Sequence, residues 1–241
     1  MTQGSLGDCW LAASMAAVAR ARPEVIRSMI RARGDGRYDV SLYIDEDGVL
    51  IVAPDEPRVV TVTSSFPMLA GAPAYARPGD TSATGETELW PMLIEKAYAA
   101  AISGGYPSLQ GEVMGVGRVG GFAGLLGTGA RPTQVTPGSE PEILADIGGA
   151  LAAGRPVICE TPAEFDSAQA RAARGVGVRS NHAYAPISVD GDTIHLQDPN
   201  HHRDISVPAA TFSQVFASYS LAGDATPRDA AVGGAVETER D

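Results

Sequence analysis

Cysteine is scarce: Cys9 and Cys159 are the only two in 241 residues. That is too few for a disulfide framework, so the fold must rest on packing, and free thiols favour a reducing compartment such as the cytoplasm. Basic side chains are also few. Eighteen Lys and Arg against 29 Asp and Glu leave a formal charge of −11, which argues against a nucleic-acid partner. No apolar run approaches the ~18 residues of a membrane span, and no basic start followed by an apolar stretch marks a secretory leader, so no membrane partner is expected. What remains is a chain 44% hydrophobic and 20% charged, the balance of a globular protein. Its length suits one domain or two small lobes, and a monomer is expected.

Apolar periodicity divides the chain. Leu11, Met15, Val18, Val25, Met29 and Ile30 recur at helical spacing, predicting one helix from Cys9 and a shorter one beyond Pro23. Tyr38 to Ile44 and Gly48 to Val52 flank the turn Asp45-Glu46-Asp47-Gly48 and predict a hairpin, with another strand at Val59 to Val62. Ala70 to Gly85 reads as a loop, after which Thr87 is placed to cap a helix over Glu88 to Tyr98. Glycine is so dense from Gly104 to Gly129 that regular structure is expected to break there, giving a lobe boundary or a cleft wall. Glu140 to Ala153 predicts a helix and Arg155 to Glu160 a buried strand. Strands His182 to Val189 and Thr193 to Gln197 surround the turn Asp190-Gly191-Asp192, and Pro208 to Ser220 predicts a closing helix and strand. From 223 onward the polar sequence predicts a disordered tail.

The octet Gln3-Gly4-Ser5-Leu6-Gly7-Asp8-Cys9-Trp10 carries the clearest chemistry. Gly4 and Gly7 permit a tight path into a helix with Cys9 at its N-terminus, where free amides and the helix dipole favour a thiolate. Gln3 can offer its side-chain amide, beside the backbone N–H of Cys9, to an oxygen that turns negative during acyl transfer. A lone cysteine is more often a small buried residue, which is the reading given to Cys159 in its apolar run. The whole octet favours a nucleophile at Cys9.

A nucleophilic cysteine needs an imidazole and a group that orients it, and both can come from distant sequence. His182 opens a strand, and Asp198 lies beyond the turn; a hairpin centred on Asp190 would set the two side by side. Asp198 would then fix the tautomer of His182 and favour the imidazolium. His195, between apolar neighbours, reads as structural. His201 and His202 with Asp198 or Asp204 match no strong metal-ligand spacing.

These motifs resemble the calpain family of cysteine proteases. Gln3 to Trp10 is similar to the family's cysteine motif, Leu89 to Ala99 to its long helix, and Gly105 to Gly129 to its glycine-rich continuation. Gly154 to Glu160, His182-Ala183-Tyr184, Leu196 to Pro199 and Thr211 to Leu221 resemble the second half of the core. The resemblance implies an α+β, papain-like fold: a helical lobe, residues 1–130, bearing Cys9, and a β-rich lobe, residues 131–222, bearing His182 and Asp198. A cleft would lie between them, with Cys9, His182, Asp198 and Gln3 catalytic and with Trp10, Gly7, Asn181 and Gly105 lining the substrate path. The substrate would be a protein or peptide.

Three positions depart from the family pattern. The orienter is usually Asn and is Asp198 here; the glycine before the histidine is Asn181; and the tryptophan two residues after the orienter is Asn200, so its aromatic shield is missing or supplied elsewhere. Animal members are closed by calcium in each lobe, and Glu88 stands at a ligand position, whereas Asp45-Glu46-Asp47 reads more simply as a solvated tip. Calcium is therefore an open cofactor, and no other is expected. Because the cysteine motif begins at Gln3, the chain reads as a bare protease core cut from a longer parent, with no inhibitory segment before it. The resemblance implies endoproteolysis, by an effector, toxin or processing domain. An acyl-transferring transpeptidase or transglutaminase-like ligase, and a non-catalytic binding module, are the alternatives.

Overall fold

A computed structural model describes residues 1–44, 55–79, 88–102, 104–110, 117–130, 132–201 and 203–223, with side chains described outside 117–120. Helix α1 (Cys9–Ala21) is buried continuously from Trp10 to Val18, as befits a helix apolar on every side. It stops at Ala21 because Arg22, which precedes Pro23, is pushed out of the helical region (φ −143°, ψ 66°). Helix α2 (Pro23–Met29) then restarts with proline in its first turn, where no backbone donor is lost.

Strands β1 (Ile30–Ala32), β2 (Arg37–Leu42) and β3 (Arg58–Thr63) form an antiparallel sheet in that order, with Val40 opposite Val60. The expected strand at Gly48 to Val52 and its turn lie outside the described residues, as does Thr87. A two-stranded ribbon, β4 (Met68–Leu69) and β5 (Ala72–Pro73), interrupts the expected loop. Helix α3 (Trp90–Ala101) follows and buries Leu93, Ile94, Glu95 and Tyr98.

The glycine-rich stretch differs from expectation. Its described residues include a 3-10 turn at Tyr106–Leu109 and a regular helix, α4 (Gly117–Leu126). Packing explains why glycine does not break it. A Cβ on Gly121 would stand 2.1 Å from Ser14 Oγ of α1, and one on Gly124 would stand 2.0 Å from the Tyr98 hydroxyl of α3. The glycines make room for these two side chains, and burial offsets their entropic cost.

The second half is built on a six-stranded sheet, β10-β9-β8-β7-β11-β6, antiparallel at every pairing. Its strands are β6 (Pro132–Gln134), β7 (Val157–Glu160), β8 (Ala183–Asp190), β9 (Thr193–Asp198), β10 (Arg203–Pro208) and β11 (Ser218–Leu221). Helices α5 (Glu140–Ala152), α6 (Ser167–Val176) and α7 (Ala209–Val215) accompany it. Neither α6 nor β10 was expected from the sequence. Yet α6 carries a complete capping box, Asp166 with Gln169, and ends at Gly177 with φ +75°, both legible start and stop signals.

Strand β8 serves two cores. Ala183 and Ala185 face the cluster that holds Leu11, Met15, Ile94 and Phe122, while Tyr184 faces the cluster that holds Ile147, Leu196 and Phe212. This is the two-residue alternation of a strand buried on both faces. The small alanines admit α1 against β8, which brings the start of α1 to the start of β8.

Candidate active site

The loop before α1 fixes where the sulfur lies. Ser5 donates its N–H and its hydroxyl to Ala74 O, at 2.9 and 2.7 Å. Gln3 N–H donates to Pro199 O at 2.8 Å, tying this loop to the turn beyond β9. The carbonyl of Asp8 accepts from Leu11 and Ala12, opening the helix. Across from it, the backbone N–H of Ala183, the residue next to His182, acts on the sulfur of Cys9 and pulls its pKa down. Cys9 and His182 line one cavity of about 530 Å³.

His182 is gripped by its backbone. Its N–H donates to Thr161 Oγ1 at 3.1 Å and its carbonyl accepts from Thr161 N at 3.0 Å. The ring Nε2 lies 2.8 Å from Asp198 Oδ1, and both side chains are buried. Since a carboxylate only accepts, the network assigns the proton to Nε2 and leaves Nδ1 as the basic nitrogen. The two residues are not directly opposite, as the sequence suggested. Asp190 pairs with Thr193 and a bulge falls between Pro186 and Ser188, so Ala185 opposes Gln197. The turn falls at Gly191-Asp192, within the expected Asp190-Gly191-Asp192, but the hairpin is not centred on Asp190, and His182 reaches Asp198 along a diagonal of the same face.

Asp198 is fully buried, but its carboxyl is held below the ordinary carboxylate range. Burial works against the charge; the hydrogen bond from His182, the N–H of Asn200 and the charges of His182 and Arg179 outweigh it. Asn181 stands at φ +50°, a left-handed conformation that asparagine tolerates better than most residues, so it fits the place the family gives to glycine.

Cys9 differs from expectation. Burial is the largest influence and pushes its thiol up to about 11, with the charges of Asp8 and Glu160 adding to the effect; the N–H groups of Ala183 and Trp10 pull the other way but do not prevail. The helix terminus therefore does not by itself make a thiolate. Cys159 is wholly buried and its thiol is raised by that burial, its sulfur packed 3.8 Å from Tyr184 O.

Gln3 lines the cavity, but its Nε2 donates to Leu6 O at 2.6 Å and to Asp8 Oδ1 at 3.1 Å, so both amide hydrogens are engaged. Trp10, Gly7 and Asn181 also line it, and Trp10 is anchored through Nε1 to Leu109 O at 3.1 Å. Gly105 is not among the lining residues; with φ +67° it turns the chain into the 3-10 turn instead. Arg179, Glu160, Thr161 and Gln110 line the cavity without having been singled out, since nothing in their local sequence marks them.

Glu88 accepts from Trp90 Nε1 at 3.3 Å. Among the described residues no group of three or more His, Cys, Asp or Glu side chains could hold a metal ion. They thus do not form a side-chain cage for calcium. No helix among them is long and apolar enough to cross a membrane.

Behind the cavity, Asp8 and Glu95 form a buried acid pair. Asp8 Oδ2 has no hydrogen-bond donor among fixed groups, and Glu95 accepts from Ala76 N–H at 2.9 Å. A proton on Glu95 supplies what Asp8 lacks. Burial, with the charge of Asp8, pushes Glu95 up to about 9, while Asp8, raised by burial, is pulled back by the bond from Glu95 and stands at about 6. The folded protein thus retains a proton that the unfolded chain sheds above its ordinary value of 4.5. Stability is greatest below that value and declines as pH rises toward 9. Glu95→Gln keeps a donor toward Asp8 but cannot titrate. Its melting temperature should fall less steeply from pH 5 to 9, and at pH 8 it should exceed wild type by on the order of 2 kcal/mol, roughly 5 °C. Parallel curves in calorimetry would refute the shared proton.

A model of a protein family, described as calpain family cysteine protease, matches residues 1–201. A search of curated proteins found no match.

Proposed function

Because the chain belongs to the calpain family and is a cysteine protease by that membership, we propose that it is an endopeptidase acting through Cys9, His182 and Asp198. The observation that carries this reading is the shared cavity, lined both by a thiol at a helix start and by a histidine whose Nε2 is bonded to a buried aspartate.

The chemistry follows from the proton positions. Nδ1 of His182 takes the thiol proton as Cys9 Sγ bonds to the carbonyl carbon of a peptide. The carbonyl electron pair moves onto oxygen, then returns and expels the amine, which receives the proton from His182. Water, deprotonated by the same imidazole, attacks the thioester, and its cleavage returns the proton to sulfur. The oxyanion donors in this reading are the backbone N–H of Cys9 and the amide of Gln3, which must release Leu6 O or Asp8 Oδ1 to serve. Asp198 stays ionised throughout and stabilises the imidazolium.

The test uses a peptide carrying a thiol-directed electrophile in place of its scissile bond. Mass spectrometry should find one adduct, on Cys9, and cleavage of a denatured proteome should cease in step with labelling. Cleavage that survives full labelling of Cys9 would refute the reading.

A further inference from the structure

The His182–Asp198 hydrogen bond is covered on two sides. The ring of Tyr184 meets that of His182 edge-on, with centroids 4.7 Å apart. On the other side, Arg179 Nη2 lies 3.2 Å from His182 Nε2 and 3.6 Å from Asp198 Oδ1. With Nε2 already carrying a proton, Arg179 cannot donate to it, so its hydrogens must be placed elsewhere. Asn200 takes one from each terminal nitrogen: with its amide oxygen turned toward the guanidinium, it accepts from Nη2 at 2.7 Å and from Nη1 at 3.1 Å. The same residue's N–H donates to Asp198 Oδ1 at 2.9 Å. The backbone of Arg179 is also fixed, its N–H donating to the Tyr184 hydroxyl at 2.9 Å and its carbonyl accepting from Thr161 Oγ1 at 2.8 Å. The side chain itself remains 44% exposed and lines the cavity.

From this geometry we infer that Arg179 is a positioning residue: a guanidinium lid, held by Asn200, that shields the His182–Asp198 hydrogen bond from water and fixes the plane of the imidazole. The inference rests on the protease reading of this cavity. A planar fork suits the task because it can engage Asn200 through two nitrogens while its Nη2 and charge stay beside the bond, whereas an ammonium would satisfy the charge alone. It also answers the departure at position 200. Asparagine brings no ring of its own, but it recruits a flat group from the loop ahead of β8.

The readout is exchange of the His182 Nε2 proton with water, followed by NMR on protein carrying nitrogen-15 histidine, alongside steady-state cleavage of a peptide. Arg179→Met should speed exchange ~10-fold by opening the bond to solvent, and should lower kcat ~10-fold with KM unchanged within about twofold. Asn200→Ala, which keeps the charge but frees the fork, should give an intermediate exchange rate. Arg179→Lys should restore little of either. Because the Arg179 side chain is nearly half exposed, these variants should fold. Exchange in Arg179→Met within about twofold of wild type would overturn the lid, whatever the activity. Faster exchange in a protein that cleaves no peptide would uphold the lid and remove the hydrolytic reading.

Discussion

Cys9→Ala should reduce kcat/KM by at least ~10⁴-fold, leaving only what binding and oxyanion donors supply. Nothing else in the cavity can replace it. Cys159, the other thiol, is fully buried in β7 and raised far above the ordinary thiol range, so it can neither reach substrate nor ionise. The same variant tests the state of the resting sulfur. With the thiol pushed up to about 11 by burial, its alkylation by iodoacetamide should rise about tenfold per pH unit between pH 7 and 10. The variant should show no alkylation at any of these values. A rate that is flat across the range would mean that a thiolate–imidazolium pair already exists, and that the base has taken the proton before substrate arrives.

Gly4→Ala should cost about 4 kcal/mol or more and abolish activity with it. Its Cβ would meet Tyr75 O at 2.1 Å and Ala74 O at 2.5 Å. Those atoms are backbone and cannot swing aside, and Ala74 O is further held by two hydrogen bonds from Ser5. Relief would require the loop to leave the β5 segment, carrying Gln3 and the start of α1 away from His182. Gly149→Ala offers the contrast. That glycine lies in α5 with nothing near the added carbon, so alanine should stabilise by about 0.5–1 kcal/mol through helix propensity. Denaturant melts of the two variants separate the explanations. Equal, small effects would show that the close approach at Gly4 can be relaxed at little expense.

Local signals were legible where one physical rule dominated. The break at Pro23 follows from the ring of proline, and the strands around the turn near Asp190 follow from apolar runs and turn residues. The octet around Cys9 put forward the proposed nucleophile, and the strand carrying His182 put forward its proposed partner. Where several rules competed, the sequence misled. Glycine density argued against α4, because propensity is counted along the chain whereas the gain comes from the close approach to Ser14 and Tyr98. The hairpin register was displaced because a bulge between Pro186 and Ser188 leaves no mark in composition.

By itself the sequence determined which residues possess reactive chemistry and which segments can form helices and strands, because both depend on side chains within a few positions of one another. Only the tertiary structure decided the proton inventory of the site. Burial and long-range contact raise Cys9, load a proton onto Glu95 and bring Arg179 over Asp198. Desolvation and Coulomb interaction depend on distance through space, and residues far apart in the chain, such as Glu160 for Cys9 and Asp8 for Glu95, supply much of it here.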